Sequence, residues 1–139
     1  MKNALIQQGY LDDQFEQLEE LQDDASPHFV EEVVRMFFKN STRLIDRIEQ
    51  DLSKIPCDFC KLNNTIHQFK GSSSSIGALR VKNGTDRFIE YCNQKNIRGC
   101  LKSFENVKKE LAILNKKLEN YFQLLNQGAT SEEKVSRSM

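Results

Sequence analysis

The chain has 139 residues, 38% of them hydrophobic and 29% charged, a size and balance that suit one helical domain with its own core and argue against disorder. Its 20 basic and 20 acidic side chains cancel, so no net field favours nucleic acid or an anionic membrane surface. No apolar run approaches the ~20 residues of a transmembrane helix, and no apolar leader with a small-residue cleavage site opens the chain, so neither membrane insertion nor secretion is expected.

With two prolines and almost no alternation of apolar and polar residues, the chain reads as all-α. Residues 1–9 are polar apart from Leu5 and Ile6, and Gly9 closes any helix formed there. Asp12 is a good N-cap for a short helix with Phe15, Leu18 and Leu21 on one face. Ser26-Pro27 then reads as N-cap and first position of a long helix that runs to about Lys54 and stops before Pro56. At 100° per residue, Phe29, Val30, Val33, Val34, Phe37, Phe38, Leu44, Ile45, Ile48 and Leu52 span an arc of roughly 180°. So wide an arc implies a central helix packed from two sides, with part of it, such as Phe37, Phe38 or Leu44, also a candidate docking patch.

Asp58 is the expected cap of a third long helix, whose apolar stripe is Leu62, Ile66, Phe69, Ser73 and Ile76. Asn63, His67, Lys70 and Ser74 form a second stripe roughly 110° away. A fourth helix is expected over about Leu79 to Gln94, with Val81, Phe88, Ile89 and Cys92 inward. A last helix is expected from about Arg98 to Asn126, ended by Gly128, with Leu101, Phe104, Val107, Leu111, Leu114, Leu118, Phe122 and Leu125 recurring at three- and four-residue steps. The whole reads as an antiparallel four-helix bundle over about 26–127, preceded by one or two short helices within a single domain 1–127, with 128–139 as a mobile tail.

Chemistry concentrates in the run from Thr65 to Ala78. Gly71 and four consecutive serines, Ser72 to Ser75, are poor choices for a helix interior, glycine costing nearly 1 kcal/mol relative to alanine. A sequence that accepts this cost usually has something approaching the backbone closely. His67 stands one turn before the glycine, and Lys70 lies at i+3. Neutral imidazole is a nucleophile near pH 7 without an activating base, and a phosphoryl group on one of its nitrogens would lie within reach of the lysine charge. No carboxylate stands at helical spacing from His67 to build a triad or metal site. No glycine-rich phosphate loop is present, so autonomous kinase activity is not expected. His28, in a first helical turn, reads as a surface histidine. Cys57 and Cys60 match a C-x-x-C spacing, but no second ligand pair accompanies them; the four cysteines read as reduced small hydrophobes and no metal is expected.

His67-Gln68-Phe69-Lys70-Gly71-Ser72-Ser73-Ser74-Ser75-Ile76-Gly77-Ala78, continued by Arg80-Val81-Lys82-Asn83, resembles the signature of plant histidine-containing phosphotransfer (HPt) proteins. Leu11-Asp12-Asp13-Gln14-Phe15, Leu21-Gln22-Asp23 and the segment from Phe29 to Phe38 resemble the same family, so that the likeness spans roughly residues 9–127. It implies a small helical carrier that takes phosphoryl groups from receiver domains of hybrid sensor kinases and passes them to receiver domains of response regulators in cytokinin signalling. By position, His67 is then the phospho-accepting residue, and Gln68, Lys70, Gly71 and Ser72 match the motif positions that shape and support the site. The receiver would supply the aspartate and Mg²⁺, this chain no cofactor; Phe37, Phe38, Leu44 and Phe69 are candidates for docking area. A monomer distributed between cytoplasm and nucleus is expected. Relatives often carry a longer segment ahead of Gly9, so receiver docking is expected to be altered here. Relatives without the histidine act as non-transferring inhibitors; this chain retains His67. The reading from another functional class is a helical adaptor that binds receivers without transferring phosphate.

Overall fold

The computed structural model describes the backbone of residues 2–138 and the side chains of residues 2–127. It consists of six helices: α1 Lys2–Gln7, α2 Asp13–Glu20, α3 Phe29–Leu52, α4 Phe59–Ile76, α5 Leu79–Asn93 and α6 Ile97–Ser138. The last four form the bundle: α4 packs between α3 and α5, α5 lies against α6, and α6 closes back on α3. Short connections make successive helices antiparallel. α2 covers one end, touching α3 and α4.

The caps explain most boundaries. Asp12 accepts from Gln14 N at 2.9 Å to start α2, and Asp58 accepts from Cys60 N and Lys61 N to start α4. Ser26 does not cap α3. Its amide donates to Asp23 Oδ1 at 2.9 Å in a tight turn, which displaces the helix start to His28 as N-cap. Gln22 Oε1 accepts from Val30 N instead, at 3.2 Å, so an amide reaching back across the turn does what the serine was expected to do. Asn96 stands just before α6, and its Oδ1 accepts from Gly99 N at 3.0 Å. The backbone of α6 stays helical past Gly128 to Ser138, because an interior glycine costs a helix about 1 kcal/mol and does not forbid it. The tail expected over 128–139 otherwise lies outside the described residues.

The core runs along the axis of the bundle. Phe15, Leu44, Ile48, Leu62, Ile66, Phe69, Phe88 and Val107 are fully buried. The apolar arc of α3 is divided as its width demanded, one flank against α4 and the other against α6 and α2. Leu21, Leu101 and Leu125 depart from their expected inward faces and are exposed; Leu21 falls at the C-cap of α2, where the helical stripe has ended. Beside the α4–α5 turn, Arg80 ties α5 to the N-terminal segment by donating twice to the Gln8 carbonyl, at 2.6 and 3.1 Å. Its guanidinium also lies 4.0 Å from the centre of the Tyr10 ring.

Candidate functional site

The site is built on the middle of α4. Leu62, Thr65, Ile66, Phe69, Ser73 and Ile76 point inward, and that leaves His67, Gln68 and Gly71 on the exposed face. His67 is exposed, one residue and so a 100° turn away from the fully buried Ile66.

The serines that look like helix breakers are accommodated locally. Ser73 Oγ donates to the Phe69 carbonyl at 2.8 Å, Ser72 Oγ to the same carbonyl at 3.1 Å, and Ser75 Oγ to the Ser72 carbonyl at 2.7 Å. Hydroxyls that bond back into their own helix satisfy themselves without a partner helix. Ser73 is also fully buried, so one of the four is a core residue whose small size sets helix spacing. Gly71 behaves differently. A Cβ built on it meets nothing within 4 Å. No neighbour among the described residues requires a glycine there, so the open space beside His67 is space kept for something else. Gly77 is a requirement of the fold: its φ is +75°, and a Cβ would come within 2.5 Å of Asp12 Oδ1 and 2.7 Å of the Phe15 amide. The turn after α4 and the start of α2 thus meet as bare backbone, sealed by Asp12 N donating to the Gly77 carbonyl at 3.0 Å.

Two polar groups flank the histidine face from neighbouring helices. Lys70 Nζ lies 2.8 Å from Asp86 Oδ1 of α5. Sequence spacing on one helix gave no carboxylate near His67; this one arrives through helix packing, nineteen residues from His67, and no local pattern signals it. On the α3 side, Arg47, Asp51, Lys61, Asn64, Thr65 and Gln68 line an open groove of about 380 Å³. Gln68 thus faces α3 and Lys70 faces α5, with His67 between them. Ser72 is half-buried and turned into its own helix.

The expected docking residues must be corrected. Phe37, Leu44 and Phe69 are 5%, 0% and 0% exposed, each being the side of its helix that closes the bundle. Phe38 is half-buried, its ring edge-on to Phe37 with centroids 5.1 Å apart. The apolar side chain that α3 does present is Met36, 70% exposed, beside Lys39, Asn40 and Arg43. A single exposed methionine on a helix face shared with Lys39, Asn40 and Arg43 carries no periodic signal, which is why the helical pattern passed over it.

Two of the four cysteines lie in the interior. Cys92 and Cys100 are buried with sulfurs 3.7 Å apart. The Cys92 thiol is pushed up, first by its hydrogen bond with Cys100 and then by burial. Among the described residues no group of three or more His, Cys, Asp or Glu could hold a metal ion, and no helix is long and apolar enough to cross a membrane.

The Hpt domain family matches residues 32–130, a stretch that contains α4 and its histidine. The chain belongs to the Hpt family. Among curated proteins, this Hpt protein is 57% identical over 116 residues to histidine-containing phosphotransfer protein 4 of Arabidopsis thaliana, covering 84% of this chain and 91% of the relative. It is 54% identical over 136 residues to pseudo histidine-containing phosphotransfer protein 2 of Oryza sativa subsp. japonica, covering 98% of this chain and 90% of that one. The crystal structure of a histidine-containing phosphotransfer protein from Medicago truncatula superposes with a TM-score of 0.88 at 42% identity, over 94% of this chain and 88% of the other. The fold is accordingly the helical bundle of plant HPt proteins, the phosphotransfer family of plant two-component signalling.

Proposed function

We propose that this Hpt protein is a phosphorelay intermediate that carries a phosphoryl group on His67, taking it from the receiver domain of a hybrid sensor histidine kinase and passing it to the receiver domain of a response regulator, in cytokinin signalling. The observation that carries this reading is an exposed histidine in mid-helix beside a glycine that no neighbour among the described residues needs. An incoming receiver brings the phosphoaspartate, and the open surface over Gly71 lets its loops approach. His67 attacks phosphorus, the acyl oxygen–phosphorus bond breaks as the nitrogen–phosphorus bond forms, the aspartate leaves as carboxylate and the imidazole proton passes to solvent. Mg²⁺ in the receiver neutralises charge on the transferring group; this chain contributes an oriented imidazole and the Lys70 ammonium. The protein acts as a monomer in both cytoplasm and nucleus.

The second reading is an adaptor that binds receivers without chemistry. It draws on the rice relatives named as pseudo phosphotransfer proteins, at 52–57% identity, while the retained His67 favours transfer. Incubation with a phosphorylated receiver domain separates the two. Label is expected to move to the protein in acid-labile, base-stable form, and His67→Gln is expected to abolish the transfer with helicity unchanged. Tight receiver binding with no transfer in either direction would establish the adaptor, and label that survives His67→Gln would remove this histidine from the reaction.

A further inference from the structure

We infer that Asp86 is a positioning residue that holds the Lys70 ammonium and thereby limits how firmly His67 retains a phosphoryl group; the inference rests on the phosphotransfer reading above. The two charged atoms are 2.8 Å apart across the α4–α5 contact, with side chains 37% and 44% exposed. An ion pair this exposed contributes at most about 1 kcal/mol to folding, and the contact between these helices is already made by buried side chains, including Phe69, Val81, Thr85 and Phe88. The fold does not need the pair. Its consequence lies in the charge it takes away from the histidine face.

Lys70 and His67 are three residues apart on α4, which places their Cβ atoms about 5–6 Å from each other on one side of the helix. A phosphoryl group on the imidazole brings one to two negative charges beside that lysine. Two anions then compete for one ammonium: the phosphoryl group, which arrives, and the Asp86 carboxylate, which is already bonded. The carboxylate partly neutralises the cation and so weakens its pull on the phosphoryl oxygens. A carrier must release what it accepts, and a tethered counter-ion keeps the lysine from making phosphohistidine too stable to pass on. Asp86 touches neither substrate nor the reacting nitrogen and works through Lys70.

The test begins with the full chain carrying His28→Gln, which leaves His67 as the one imidazole of the two in the sequence. Phosphoramidate, a small phosphoryl donor, is used to load it: its phosphorus–nitrogen bond breaks, the bond to His67 forms, and ammonia leaves with the imidazole proton. Phosphorus NMR follows the lifetime of the phosphohistidine, and a second measurement follows how phosphoryl distributes at equilibrium between the protein and a receiver domain. Asp86→Asn, which keeps shape and removes charge, is expected to lengthen the lifetime and to shift the distribution toward phosphohistidine by roughly two- to fivefold, the range of an exposed ion pair. Asp86→Glu is expected to restore the parent values, and in a Lys70→Met background the effect of Asp86→Asn is expected to vanish. Unchanged values in Asp86→Asn, or the same change with and without Lys70, would overturn the proposal. A receiver that transfers nothing to the parent protein defeats the relay reading alone, because the phosphoramidate lifetimes still decide what Asp86 does.

Discussion

At the scale of single residues, His67 and Gly71 were visible before any coordinates. A nucleophilic side chain followed one turn later by glycine inside a helix is a local conflict that the flanking pattern does not explain. What the structure adds is that the conflict is one-sided. Gly71 has no neighbour within 4 Å of where its Cβ would stand, so alanine fits and improves the helix. Gly71→Ala is therefore expected to raise stability by about 0.5–1 kcal/mol, measured by urea denaturation, while slowing phosphoryl transfer from a receiver. A variant that is more stable and transfers as fast as the parent would mean that the receiver does not approach over Gly71. Asp86 had no such visibility. Its link to Lys70 exists because α5 folds back antiparallel to α4, and no one-helix pattern contains that information.

At the scale of elements, the helices were legible because their apolar residues recur at three- and four-residue steps and their caps are local. Asp12 and Asp58 lie where an acceptor is needed for the first free amides. Ser26 shows the limit: it is a good cap by type, but Asp23 claims its amide first. Three of the four serines of α4, poor helix formers by type, donate into their own helix and so are satisfied within it. The strictest local demand falls on Gly77. With φ at +75° and Asp12 and Phe15 pressed against it, Gly77→Ala combines left-handed strain with a backbone clash. A loss of roughly 2 kcal/mol or more is expected, visible as a lowered thermal midpoint, and Gly71→Ala six residues earlier provides the internal contrast. Equal stability of the two variants would show that the α2–α4 contact yields easily.

At the scale of the whole molecule, the bundle decides which apolar residues are available to a partner. Phe69, two residues from His67, is a docking candidate by its nearness to the histidine and is instead wholly buried between helices, with the apolar stripe of α4. Phe69→Ala is expected to cost about 3–5 kcal/mol, and transfer by the protein that remains folded is expected to change little. A stable variant with weakened receiver affinity would return Phe69 to the interface. Met36, which the periodic pattern ignored, is the apolar group that α3 offers to solvent.

The amino-acid sequence by itself determined the helical class, the order of the helices, the caps of α2 and α4 and the placement of His67, Gln68, Lys70, Gly71 and Ser72 on one element. These follow from periodicity and side-chain type, which act over a turn or two of chain. Tertiary structure alone decided that Phe37, Leu44 and Phe69 are core, that Met36 is surface, and that Lys70 meets Asp86. Burial and ion pairing depend on which helix comes to lie alongside, and that is settled by how all the apolar stripes close around one core.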